Sequence, residues 1–155
     1  MDAQRTRSVL FACNYNHVRS PMAAALLLRL GCPGLAVTSC GMRAAEEIDP
    51  FVVAVMLEKG VDLSEHRGQA LETLQGRLFD VVVALTPQAH ERVLAERWPD
   101  RASVEYWPTE DPTQEDGARE VRLEAYRRVR DGLDQRLRTR FAADLHAGGS
   151  AACRL

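Results

Sequence analysis

The residues best able to do chemistry stand close together near the start of the chain. Cys13 and Arg19 are six positions apart, with an apolar segment before them and Ser20-Pro21 after. If that segment is a strand and Ser20-Pro21 opens a helix, the turn between them can point several backbone N–H groups at one place, close to the positive end of the helix dipole. Such a concavity binds an oxyanion. Its candidate binding residues are Asn14, Tyr15, Asn16, His17, Val18, Arg19 and Ser20.

Cys13 and Arg19 turn this binding site into a candidate reaction site. Converging N–H groups, a guanidinium and a helix N-terminus all favour the ionised thiol, so Cys13 is expected to be a nucleophilic thiolate at neutral pH. The planar guanidinium of Arg19 can bind two oxygens of a tetrahedral anion and hold them in the transition state. The hydroxyl of Ser20 can donate to the sulfur when it attacks and when it leaves.

The elements that must position these residues alternate between strand and helix, which is typical of a parallel sheet with helices on both faces. Asp49-Pro50 and Thr86-Pro87 predict helix N-caps followed by a proline in the first turn. The sequence therefore predicts a single α/β domain with a four-stranded parallel sheet and a phosphate-binding loop after strand 1. The predicted strands are 8–13, 35–39, 81–85 and 104–106, and the predicted helices are 21–30, 50–58, 87–97 and a long helix from 118 through 141.

Ligands of open parallel sheets bind beyond the carboxyl ends of the strands. Cys13, Ser39, Thr86 and the loop 108–112 all fall at that edge. Asp111 in that loop can therefore meet Cys13 and act as a general acid toward a leaving group. Asp-Pro is also a common loop dipeptide, and only its place after the fourth strand favours the catalytic interpretation.

Composition limits the remaining possibilities. The 155 residues, 46% of them hydrophobic, suffice for one core; we expect a domain over 1–145 and a flexible tail over 146–155. A net charge of −2 argues against a nucleic-acid partner.

The sequence contains no apolar run of about 18 residues and no apolar leader, so we expect no membrane association and a cytoplasmic location. Four cysteines without a close pair indicate neither a zinc site nor a disulfide framework, and we expect no metal or other cofactor.

The segment from Val9 to Ala23 resembles the phosphate-binding loop of the low-molecular-weight protein tyrosine phosphatase family, whose scaffold also serves one class of arsenate reductases. The likeness covers nearly the whole chain and includes Ser39, Gly41, the His66-Arg67 pair and Asp111-Pro112. It implies that Asn16 braces the loop, that Ser39 bonds to Asn16, and that Asp111 is the general acid. The resemblance implies a structural rather than a catalytic role for the His66-Arg67 pair.

The chain departs from that family at positions that bear on the substrate. Tyr15 stands where the family usually has glycine, so its ring is either a core ring or a wall of the pocket. Thr113 and Gln114 follow Asp111-Pro112 where aromatic residues are common. His17 and Arg43 are candidates to meet an anionic substrate, although a solvated surface role is the more common one for such residues.

These observations predict a cysteine-dependent phosphomonoester hydrolase, similar to a protein tyrosine phosphatase, that forms a thiophosphate intermediate on Cys13. Its expected partner is a phosphorylated protein or a small phosphoester or oxyanion. One alternative is an arsenate reductase that uses an external thiol, Cys40 or Cys153. A second alternative is a module that binds phosphate or a phosphoprotein with little catalysis.

Overall fold

Strands and helices alternate along the chain in the computed structural model, which describes residues 6–74, 76–100 and 102–146. The strands are β1 (Ser8–Cys13), β2 (Ala36–Gly41), β3 (Val81–Ala84) and β4 (Ser103–Tyr106). The helices are α1 (Arg19–Leu30), α2 (Pro50–Leu57), α3 (Pro87–Leu94), α4 (Arg119–Arg140) and α5 (Ala142–His146), and short 3-10 turns lie at Leu71–Leu74 and Pro112–Gln114.

The four strands form one parallel sheet in the order β2-β1-β3-β4, which confirms the predicted fold class. Buried side chains from α1, α2 and α4 pack on one face, and those of α3 and the turn Leu71–Leu74 pack on the other. β1 pairs on both sides and five of its six residues are buried, so its carboxyl end is held firmly at the sheet edge.

Local sequence signals account for the helix starts. The Asp49 carboxylate accepts from the backbone N–H of Phe51 at 2.8 Å, and the Thr86 hydroxyl accepts from Ala89 at 3.0 Å. A side chain that satisfies a first-turn N–H in this way stabilises a helix by about 1 kcal/mol. α1 is buried over most of its length, because its residues after Ser20 are apolar on all sides apart from Arg29.

Two elements end two or more residues away from the predicted position, for identifiable reasons. β2 extends two residues beyond Ser39, because Cys40 and Gly41 continue the pairing with Ala12 and Cys13 of β1. The Gly41 N–H also donates to the Gln69 carbonyl at 2.8 Å, and a parallel bridge joins Gly41 to Ala70. α3 ends at Leu94 rather than near 97, where the Trp98 indole N–H donates to the Val93 carbonyl at 2.8 Å. Of the predicted tail over 146–155, only residue 146 belongs to the described residues, and it is the last residue of α5.

Candidate active site

The loop between β1 and α1 is held from one side by the chain that follows β2. Its carbonyl groups at Cys13, Asn14, Tyr15 and His17 each accept one N–H, from residues 42, 43, 45 and 49 in turn, at 3.0 to 3.2 Å. In a trans peptide the following N–H points opposite to the carbonyl. The N–H groups of the loop are therefore turned away from this chain, to the side on which the cavity lies. On that side the loop can receive an oxyanion.

Asn16 is the centre of the loop's support. It is fully buried and has a φ of 56°, the left-handed region that asparagine tolerates better than most residues. Its side-chain N–H2 donates to Ser20 Oγ at 2.8 Å and to Ser39 Oγ at 2.9 Å. Its Oδ1 accepts from the Gln69 backbone N–H at 3.0 Å. Every polar atom of the side chain thus has a partner that fixes the loop.

Three supporting contacts come from residues that the sequence did not assign to the loop. His66 Nε2 lies 3.0 Å from the Asn16 carbonyl oxygen, and the Thr86 hydroxyl donates to Asn14 Oδ1 at 2.7 Å. Gln69 adds a bond from its side chain to the Ser39 carbonyl at 2.9 Å. His66 belongs to the family pattern and Thr86 was placed at this sheet edge, but only their proximity to the loop reveals the role.

Gly41 allows β2 to pass directly against the loop. A Cβ atom at this position would lie 2.7 Å from the Asn16 nitrogen and 2.7 Å from the Tyr15 carbonyl carbon, and it would also collide with the Arg43 carbonyl oxygen. Any side chain here would push the loop out of place. The glycine is therefore required by a close approach of two backbones.

Cys13 lies at the base of the loop, lines the cavity and is 2% exposed. The Ser20 Oγ lies 2.9 Å from Cys13 Sγ, and the Ser20 backbone N–H donates to the same sulfur at 3.4 Å. Ser20 Oγ accepts from Asn16 and also lies 3.1 Å from the Cys40 carbonyl oxygen. Its single proton can therefore be given either to that carbonyl or to the sulfur.

Arg19 and Asp111 face each other across the mouth of the site. Arg19 Nη2 lies 3.9 Å from Asp111 Oδ2, and Arg19 Nη1 donates to the Thr109 carbonyl at 3.0 Å. Asp111 Oδ1 accepts both the backbone N–H and the hydroxyl of Thr113, at 3.0 and 2.6 Å. Burial acts to raise the pKa of Asp111, but the Thr113 hydrogen bonds and the Arg19 charge outweigh it and hold the pKa below its ordinary value.

A cavity of about 360 Å³ joins these groups. The Tyr15 ring is 50% exposed and meets the His17 ring edge to face at 5.6 Å between centroids. Of the two interpretations of Tyr15, the pocket wall is therefore the correct one, and the left-handed residue of the loop is Asn16. The cavity is lined by Cys13, Asn14, Tyr15, His17, Val18, Arg19, Asp111, Thr113 and Gln114.

The other cysteines lie away from the cavity. Cys40 pairs in register with Ala12, and its side chain belongs to the core on the face of the sheet opposite Cys13. Burial, reinforced by the charge of Cys13, raises the pKa of the Cys40 thiol to about 12. Cys32 follows the C-terminal end of α1, whose N-terminal end is at the site. Cys153 lies outside the described residues.

Within 6–74, 76–100 and 102–146, no three His, Cys, Asp or Glu side chains are grouped so as to hold a metal ion. The same residues include no helix that is both long and apolar enough to cross a membrane.

The fold and loop match a known family over most of the chain. Residues 8–149 match the model of the family described as low molecular weight phosphotyrosine protein phosphatase. The chain belongs to this family of enzymes, as the resemblance of its loop predicted.

Relatives within the family have different activities. A glutaredoxin arsenate reductase of Synechocystis is 32% identical over 136 residues, which cover 88% of this chain and 97% of that one. A probable low-molecular-weight protein-tyrosine-phosphatase EpsP of Ralstonia solanacearum is 37% identical over 97 residues, 61% of this chain and 66% of that one. Among solved structures, the YwlE arginine phosphatase of Geobacillus stearothermophilus aligns with a TM-score of 0.69 and 31% identity, covering 92% of this chain and 94% of that one.

Proposed function

We propose that the protein is a cysteine-dependent phosphomonoester hydrolase that acts on a phosphorylated protein. The observation that carries this proposal is that Cys13, Arg19 and Asp111 line one cavity whose loop presents N–H groups. A site that only binds an anion has no use for a thiol nucleophile at its base together with a carboxylate at its mouth.

In the first step, the Cys13 thiolate attacks phosphorus in line with the leaving oxygen and forms a thiophosphate. The loop N–H groups and Arg19 hold the three equatorial oxygens, where negative charge is concentrated in the transition state. Arg19 must turn from the Thr109 carbonyl to do so, while it remains next to Asp111. Ser20 can then direct its proton to the sulfur, which stabilises the thiolate as attacking and leaving group.

Asp111 supplies the proton for the leaving group. A bound phosphate dianion beside this carboxylate favours its protonated form, because like charges oppose ionisation. After protonating the leaving oxygen, the carboxylate can accept a proton from the water that attacks the thiophosphate. The cycle then returns Cys13 to the thiolate and releases phosphate.

Hydrolysis of p-nitrophenyl phosphate by purified protein tests the proposal. The assay is run between pH 5 and 8 in the presence of a chelator, with wild type and Cys13→Ser side by side. We expect turnover by the wild type and none by Cys13→Ser, which should still bind vanadate or phosphate. Normal turnover by the variant would refute the mechanism. A folded wild type that binds phosphate tightly without hydrolysis would support the binding module instead.

Arsenate reduction is a second candidate, favoured by the arsenate reductase that aligns over 97% of its own length. Arsenate is nearly isosteric with phosphate, so the same loop would bind it. Reduction also requires two electrons, supplied when a second thiol attacks the sulfur of the Cys13 adduct and a disulfide forms. Cys40 is buried on the opposite face of the sheet, so an external thiol fits this route better. Arsenite formation with glutathione and glutaredoxin, or with mycothiol, would identify the reductase.

A further inference from the structure

A basic surface lies beside the mouth of the candidate active site. Arg119 and Arg122, in the first turn of α4, both place their guanidinium groups over the ring of Phe51, at 5.4 and 4.5 Å from its centroid. We call this group of three residues the rim cluster. Stacking on an aromatic ring holds a guanidinium in place and leaves its in-plane N–H groups available to a planar acceptor.

The rim cluster is connected to the cavity on two sides. Phe51 follows Asp49, whose backbone N–H donates to the carbonyl of the cavity-lining His17 at 3.2 Å. Phe51 also stacks on Tyr126 at 5.2 Å, and the Tyr126 hydroxyl donates to the Asp49 carboxylate at 2.8 Å. On the other side, the cavity-lining Gln114 is five residues before the start of α4, and the 3-10 turn that contains it packs on α4.

The two arginines of the rim cluster differ from most others on α4. Five arginines of this helix form ion pairs with carboxylates: Arg127, Arg128, Arg130, Arg138 and Arg140. Among the described residues, neither Arg119 nor Arg122 has such a pair. The nearby helix carboxylates of Glu120 and Glu124 are both bound by Arg127 instead.

We propose that the rim cluster binds an acidic side chain of the substrate, next to the phosphorylated residue held in the cavity. This rests on the proposed function and narrows its substrate to phosphoprotein segments with a nearby Glu or Asp. Each carboxylate oxygen would accept from a guanidinium edge while Phe51 and Tyr126 keep the arginines in place. An extended peptide advances about 3.3 Å per residue, so the spacing between the acidic and the phosphorylated residue follows from the span between the rim cluster and the cavity, and a position scan measures it.

The test uses phosphotyrosine peptides that differ only in the position of a single Glu, scanned through four positions on each side, with a Gln peptide as reference. We expect kcat/KM to be about five- to tenfold higher for the best Glu peptide, the size expected for two exposed charge pairs. Arg119→Gln with Arg122→Gln should remove that preference and leave hydrolysis of p-nitrophenyl phosphate unchanged. The matched control is Arg77→Gln with Arg138→Gln, which removes the same charge from another ring-stacked arginine and from the far end of α4. Thermal unfolding checks that both double variants fold.

Charge reversal separates recognition from structure. Arg119→Glu with Arg122→Glu should invert the preference toward peptides carrying Lys at the same position, an effect that a merely structural role of these arginines cannot produce. Peptide binding to Cys13→Ser, measured by fluorescence anisotropy, gives the same comparison without turnover. If p-nitrophenyl phosphate is not hydrolysed, the proposed function fails, whereas a Glu preference in binding would still support the rim cluster. Equal kcat/KM and equal binding for Glu and Gln peptides would refute the proposed role of the rim cluster. A wild type that hydrolyses p-nitrophenyl phosphate but neither binds nor cleaves any peptide would refute it as well.

Discussion

His66 Nε2 lies 3.0 Å from the carbonyl oxygen of Asn16, at the back of the anion-binding loop. A carbonyl can only accept, so Nε2 carries the hydrogen and donates it. Asn16 is the residue of the loop in the left-handed region, and this bond helps to hold it there. His66 is therefore a positioning residue for the loop, fifty positions away in the sequence.

Replacing His66 tests this role. His66→Ala should weaken vanadate binding and lower kcat/KM by about three- to tenfold, the effect of losing one hydrogen bond of about 0.5–1.5 kcal/mol. His66→Gln, which keeps a donor, should restore part of the loss. Arg67→Gln is the matched control, because Arg67 has only a 3.5 Å contact with the His66 carbonyl. Unchanged vanadate affinity in His66→Ala would contradict the prediction.

Asp111 should give the reaction a distinctive pH dependence. Its pKa lies below the ordinary value, so the unliganded enzyme carries the carboxylate at neutral pH and the acid form becomes more abundant as the pH falls. For alkyl phosphates, whose leaving groups need a proton, kcat/KM should therefore rise toward low pH. Asp111→Asn should abolish this rise and slow such substrates by about 10²- to 10⁴-fold. Asp116→Asn, an exposed carboxylate nearby, should leave the profile intact.

Thr113→Val refines that prediction. It removes the 2.6 Å hydrogen bond from the Thr113 hydroxyl to Asp111, and a hydrogen bond to the ionised form lowers a pKa. The pKa of Asp111 should move up, so the rise in kcat/KM should begin at a higher pH than in the wild type. A shift in the opposite direction in the pH profile would show that Asp111 is not the titrating group.

Gly41→Ala should damage the anion site through backbone contact alone. The added Cβ would lie 2.7 Å from the Asn16 nitrogen, so β2 or the loop must move, at a cost of about 1–3 kcal/mol. We expect weaker vanadate binding and a lower melting temperature. Gly132→Ala is the control, because a Cβ there meets nothing within 4 Å and alanine favours the helix by about 0.5–1 kcal/mol. Equal vanadate affinity in the two variants would refute the close-approach argument.

Cys40 should be chemically silent in the folded protein. With a pKa of about 12 its thiol is neutral at pH 7.5, and the neutral thiol is a poor nucleophile. Iodoacetamide should therefore modify Cys13 and leave Cys40 unmodified, as judged by peptide mass spectrometry. Cys40→Ala should retain phosphatase activity and any arsenate reduction that uses an external thiol. Loss of arsenate reduction in Cys40→Ala would instead assign Cys40 as the resolving cysteine.

Much of this architecture could be predicted because its signals are local. These signals lie within a few residues of the structure they form: the apolar run of β1, the largely apolar α1, and the caps at Asp49 and Thr86. Two boundaries shifted through contacts that the local pattern did not show. β2 continues through Gly41 because Cys40 and Gly41 pair with β1, and α3 ends early where the Trp98 indole N–H donates to the Val93 carbonyl.

The sequence by itself predicted the candidate nucleophile, the arginine and the loop between them, because Cys13 to Ser20 are eight consecutive residues between one strand and one helix. It also placed Asp111 at the right sheet edge, since parallel strands end together. Only the tertiary structure decided what holds the loop and what can reach it. His66, Thr86 and Gln69 contact the loop because folding brings in segments that are fifty or more residues away in the sequence. Cys40 is next to Ser39 in sequence, but its side chain lies on the opposite face of the sheet, because side chains alternate along a strand. Ser39 therefore bonds to Asn16, whereas Cys40 is buried in the core on the other face.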